Sequence, residues 1–276
     1  MRSQLVALLV GLASVSPSRV HAAVRVATPA RRAAAASAMA RIPAGSYRPL
    51  FATSSSSRVH VAAFDIDREP VTREQYLRFV RANPRWARGA VPGQFAERSY
   101  LAEWPSATDA GNAVDMRRPV TSVSWFAAKA YCAAQGKRLP TVDEWELAAS
   151  SVTARRGVAA GDERRALLAL YAARKPGVPG PIGATAPNAY GVRDLHGVVW
   201  EWTLDFNADA AAADDSHASA GHHHAHEHHL FCASAAIGAT DATDYPAFAR
   251  YAVRAGLTTR STVSGVGFRC ASSVAT

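Results

Sequence analysis

Lysine, cysteine and methionine are scarce in this chain, with three of each among 276 residues. With so little lysine, the formal net charge of +9 is carried almost wholly by arginine. Those arginines are dispersed. Pairs such as Arg31-Arg32 and Arg117-Arg118 do not extend into a basic run, and no nucleic-acid-binding motif accompanies them. Nucleic acid is therefore not an expected partner. Three cysteines are too few for a disulfide-dense scaffold, and in an exported protein an odd count leaves one thiol unpaired or intermolecular. Long apolar runs are also missing beyond the N-terminus, so no membrane span is expected in the mature chain.

What is present fits a globular domain: 49% apolar residues and 19% charged ones. Arg2, the apolar run Leu5 to Ala13 and the small residues around Val20-His21-Ala22 read as a secretory signal over residues 1–22. Export, to the periplasm if the source is bacterial, would permit disulfides. Residues 23–40 are rich in alanine and arginine and are expected to be a linker, with a single domain over 41–276.

Within that domain the spacing predicts short strands over Arg41–Tyr47 and Val59–Ile66. Thr72 with Gln75 forms a capping box opening a helix over residues 73–82, which Pro84 ends. Ser124 caps a second helix from Trp125 to about Gln135, before Gly136. Thr141 with Glu144 opens a third, through about Ala149. Residues 83–118 read as loop, as does the proline-rich stretch that follows a helical turn at Leu167–Ala173. Residues 245–253 suit a strand or a short helix equally. A terminal strand is expected over Val266–Ala271. Few long helices and no βαβ alternation give an irregular, loop-rich α+β class. Trp125, Trp145, Trp200 and Trp202 are assigned to the core, and Arg138 is expected to pair with Glu144 or Glu146.

The most unusual segment is His222-His223-His224-Ala225-His226-Glu227-His228-His229, within a histidine-rich insertion at 217–229. Imidazole is the commonest protein metal ligand and suits copper, zinc and nickel. Cys232 follows three residues later, so a mixed imidazole–thiolate site is sterically accessible. The competing reading is a low-complexity expansion with adventitious affinity.

Several of these segments in order resemble the formylglycine-generating-enzyme (sulfatase-modifying factor) family. They are Ile42-Pro43-Ala44-Gly45, Phe64 to Thr72, Val123-Ser124-Trp125, Gly136 to Thr141, Glu144 to Ala148, Tyr190 to Gly197, Val199 to Trp202 and Gly267 to Ala271. The resemblance implies an irregular α+β fold related to C-type lectins. It implies a disulfide between Cys132 and Cys270. It also implies an active-site strand at Leu230 to Ser234, where these enzymes bind Cu(I) through two cysteines and oxidise a substrate cysteine. Cys232 matches the first cysteine, as catalytic residue or metal ligand, and Ile237 stands at the second. Glu201 matches a calcium ligand, but Val198 replaces the asparagine expected with it. Three functions follow from this: a divergent copper-handling or accessory factor for an exported metalloenzyme, a metal-dependent oxidase acting on a thiol, and a lectin-like binding module. The missing second cysteine weighs against the oxidase, and the histidine tract favours the copper-handling factor.

Overall fold

The computed structural model describes residues 38–51, 57–150, 160–173, 177, 179–207, 241 and 243–274. Its main sheet has three antiparallel strands. β4 (Phe64–Asp67) lies between β1 (Met39–Ile42) and β7 (Ala271–Ser273). The alternation of side chains along a strand buries Ala40 and Ile42 of β1 with Phe64 and Ile66 of β4 on one face. β2 (Gly45–Tyr47) and β3 (Val59–Val61) form a separate antiparallel pair. β5 (Trp200–Glu201) and β6 (Val266–Gly267) form a two-residue parallel pair. The run expected as one strand at 59–66 is thus two strands in different sheets. β1 begins at Met39, two residues ahead of the start expected from the sequence.

The helices follow their capping signals. α1 (Arg73–Ala82) opens with the Thr72–Gln75 box, in which Thr72 Oγ1 accepts from Gln75 N at 3.2 Å and Gln75 Oε1 accepts from Thr72 N at 2.8 Å. α2 (Ala113–Met116) is a four-residue helix capped by Asn112, inside the stretch read as loop. A 3-10 turn at Pro84–Trp86 also lies there. α3 (Trp125–Ala134) is capped by Ser124, and just beyond its end Gly136 takes φ +69°, a conformation that disfavours a side chain. α4 (Val142–Ala149) opens with the Thr141–Glu144 box. α5 (Ala160–Ala172) and α6 (Tyr245–Ala255) complete the set. Residues 245–253, open between strand and helix in the sequence, are helical.

Two apolar cores result. One packs α1 against α3, with Tyr76, Phe79, Trp104, Tyr131, Trp202 and Phe268 buried together. The other lies between the main sheet and α4, around Ile42, Phe64, Ile66, Trp145 and Leu147. A disulfide joins Cys132 of α3 to Cys270, just before β7, across 138 residues of sequence. No helix of the described residues is long and apolar enough to cross a membrane.

Candidate functional site

Glu201 on β5 lies at the junction of the two cores. Its carboxylate accepts from Arg269 Nε (2.8 Å) and Nη2 (2.7 Å) and from Trp145 Nε1 (2.8 Å). Both ion-pair side chains are 0% exposed. Arg269 spends its remaining donors on the carbonyls of Asp67, Arg68 and Arg193, so all five of its N–H groups are satisfied. A cation site needs several oxygens turned toward the ion. Glu201 turns both of its oxygens to Arg269, so calcium does not fit this carboxylate as it stands: the ion would have to displace a buried guanidinium. Trp145 and Trp202 are buried as expected, whereas Trp125 and Trp200 are only half-buried.

A second charged cluster lies on the other side of Trp145. Arg250 grips Glu146 bidentately at 2.9 and 2.7 Å, and Arg254 Nη1 donates to Glu146 Oε1 at 2.8 Å. The two arginines are one helical turn apart on α6, and both lie over the Trp145 ring, at 5.5 and 5.4 Å from its centroid. Burial alone would push the Glu146 carboxyl up. The two guanidiniums outweigh it and hold the carboxyl at about 2. Arg138 meanwhile pairs with Glu144, not Glu146, at 2.6 Å through each of two nitrogens.

A hydrogen-bonded chain leads on from Arg250. Its Nη1 donates to the Tyr171 hydroxyl at 3.2 Å, and that hydroxyl lies 3.2 Å from His196 Nδ1. His196 Nε2 faces the Ala149 carbonyl at 3.3 Å. A carbonyl only accepts, so Nε2 carries the hydrogen and Nδ1 accepts from Tyr171. Burial, reinforced by the Arg250 charge, pushes His196 down to about 4 and keeps it neutral.

Between the chain after β2 and α6 lies a cleft of about 120 Å³. Arg250, Arg254 and Glu146 form its wall, with Phe51 and Tyr251, packed edge-to-face at 4.8 Å, beside them. Asp241 and Asp244 also line it. Asp244 is tied to the start of α6, where its carboxylate accepts from Ala247 N at 3.0 Å. The arrangement can bind a small charged group; among the described residues that line it, no nucleophile stands beside a base.

Cys232, His222, His223, His224, His226, His228, His229 and Ile237 lie outside the described residues. Of the described residues that flank the segment carrying them, those before it bond to α4 and to the residue ahead of its cap, and Asp241 after it lines the cleft with Glu146. Leu204 N donates to Pro140 O at 2.7 Å and Asp205 Oδ1 accepts from Val142 N at 2.8 Å. Among the described residues no three His, Cys, Asp or Glu side chains are grouped to hold a metal.

Sequence reasoning missed Arg250, Arg254, Tyr171 and His196. The signal was there for the arginines: Asp244 followed by Pro246 is an N-cap with proline in the first turn, and it sets two arginines at i, i+4 on one helix face.

Comparison with known proteins places this geometry. Residues 25–274 match the profile of the sulfatase-modifying factor enzyme 1-like domain. A formylglycine-generating enzyme of Thermomonospora curvata is 27% identical over 228 residues, covering 62% of this chain and 72% of that protein. An inactive C-alpha-formylglycine-generating enzyme 2 of Bos taurus is 30% identical over 251 residues, covering 78% of each. A hercynine oxygenase of Mycolicibacterium smegmatis is 33% identical over 161 residues, covering 52% of this chain and 38% of that one.

Proposed function

Because the chain belongs to the sulfatase-modifying factor family, in the formylglycine-generating-enzyme-like fold, we propose that it is an exported, divergent copper-handling or accessory factor for a metalloenzyme. The observation that carries this is the cysteine inventory. Of three cysteines, Cys132 and Cys270 are bonded to each other. Cys232 is the single thiol left, so two cysteines cannot meet at one copper ion within this chain. Six histidines over residues 222–229 precede it and offer imidazole in place of the second thiolate. Thiolate and imidazole together suit copper, the thiolate being the softer donor. When bound, the metal would supply a carrier or redox function. Cys232 and the histidines would hold it, and the buried Glu201–Arg269 and Glu146–Arg250–Arg254 ion pairs would fix the frame from which that segment emerges. A relative named as inactive is consistent with a family in which the fold outlasts the oxidase chemistry.

The test is a Cu(I) titration of the untagged protein against a competing chelator. Wild type is compared with Cys232→Ser and with a deletion of residues 217–229. Weaker binding in either variant supports the reading, and unchanged binding in both refutes it. Oxygen uptake with a cysteine peptide then separates carrier from oxidase: a carrier consumes none above the copper-only rate.

A further inference from the structure

We propose that the cleft between the chain after β2 and α6 is a binding site for a carboxylate, with Arg254 as its principal contact. The inference is independent of copper and goes beyond the function proposed above. It begins with an unequal use of donors within the ion-paired cluster. Arg250 and Arg254 have side chains only 10% and 8% exposed, and Glu146 is the carboxylate to which both donate. The cluster's other partners are neutral: Tyr171 accepts a hydrogen bond, His196 is uncharged and Trp145 offers a ring face. Two guanidiniums thus share one hydrogen-bonded carboxylate; since Asp241, Asp244 and Arg48 also line the cleft and balance its formal charge, it is the guanidinium donors left over, not a net charge, that call for a ligand.

The two guanidiniums differ in how fully they are used. Arg250 directs Nε and Nη2 to Glu146 and Nη1 to Tyr171. Among the described residues Arg254 makes one bond, from Nη1 to Glu146, and its side chain lines the cleft. Its other donors, in a planar fork, match the two oxygens of a carboxylate.

The rest of the lining narrows the ligand. Asp241 and Asp244 each turn an oxygen to their own backbone, Asp241 Oδ1 accepting from Thr243 N at 2.9 Å and Asp244 Oδ1 from Ala247 N at 3.0 Å. Both stand on the cleft, as does Arg48, and Asp244 would repel a doubly charged anion such as phosphate more than a singly charged one. Pro49, Leu50 and Phe51 provide apolar contact for carbon attached to the charged group. A volume of about 120 Å³ admits a small acid or the last residue of a peptide, not a cofactor. A singly charged carboxylate on a short carbon stem satisfies all three conditions.

The experiment is calorimetric titration of the full chain, free of copper, in a buffer without carboxylates. The probes are acetate, N-acetylglycine and the uncharged N-acetylglycinamide. N-acetylglycine is expected to bind one-to-one, and at least tenfold more tightly than its amide. Arg254→Gln should weaken it about tenfold or more, as expected for a lost charge-assisted hydrogen bond. Because that change also disturbs Glu146, Ala247→Phe serves as a second variant: it fills the cleft from α6 without touching an ion pair, and should abolish binding while the fold is retained by circular dichroism. Acetate binding as tightly as N-acetylglycine would support a free small acid; tighter N-acetylglycine would support a peptide C-terminus. Equal affinity for N-acetylglycine and its amide, no binding of either acid, or undiminished binding by Ala247→Phe would overturn the proposal. Copper binding is not read in any arm, so failure here leaves the copper reading standing.

Discussion

Lowering the pH from 7 to 5 should destabilise the fold by about 2 kcal/mol through His196 alone. The imidazole is neutral in the folded protein because Nε2–H is committed to Ala149 O and Nδ1 to Tyr171, in a buried site facing Arg250. Its pKa falls from the usual 6.5 to about 4 on folding. Between those values the unfolded chain binds a proton that the folded chain does not. The contribution is therefore fully present above pH 6.5, declines as the pH drops and is lost by about pH 4. A shift of this size corresponds to about 3 kcal/mol in full, of which a little over half falls between pH 7 and 5. Glu146 adds a second loss, but only below its usual 4.5 and toward about 2, so it lies outside this window. The assay is urea unfolding at pH 7, 6 and 5, with wild type compared with His196→Gln. Glutamine can donate to Ala149 and accept from Tyr171 but cannot titrate. The variant should start less stable and lose less on acidification, so that the two stabilities converge. Parallel decline of both proteins would refute the buried neutral histidine.

Two further perturbations probe the frame. Glu201→Gln removes the anion paired with a guanidinium that is 0% exposed, and should destabilise by about 3–5 kcal/mol in chemical unfolding; calcium added to wild type should leave the unfolding midpoint unmoved, because Arg269 already holds the carboxylate. Replacing Cys132 and Cys270 together by alanine opens a loop of 138 residues and should cost about 5 kcal/mol on chain-entropy grounds; intact mass with and without reductant verifies the bridge beforehand, and an unchanged mass would remove the premise.

The sequence disclosed those parts of the fold whose cause is local. Thr72 with Gln75 and Thr141 with Glu144 announced helices whose start and end were readable to within a residue, because capping acts over three or four positions. The strand expected over Val266–Ala271 is divided between β6, paired with β5, and β7, paired with β4. Their pairing is nonlocal, and so is the bond between Glu201 and Arg269, 68 positions apart. α6 was obscured for a different reason. A proline usually argues against a helix, but Pro246 sits in the first turn, where it gives up an N–H that has no intrahelical acceptor anyway. Without the helix, Arg250 and Arg254 could not be seen as neighbours.

The part played by α4 shows why the site was only half legible. Residues two apart on a helix point roughly 200° apart around its axis. Glu144 therefore turns back to cap α4 and hold Arg138, while Glu146 faces α6 and takes both arginines. Trp145, between them, donates to Glu201. The N–H of Val142, in the first turn and without an intrahelical acceptor, donates to Asp205, on the chain that leads toward the histidine tract and Cys232. Eight residues thus hold the ion pair beneath β5, one wall of the cleft and a stem of the unassigned segment. A substitution that rotates α4 would disturb all three together, whereas Cys232→Ser or Arg254→Gln should each affect one. That separability is what allows metal binding and carboxylate binding to be tested as independent properties of one domain.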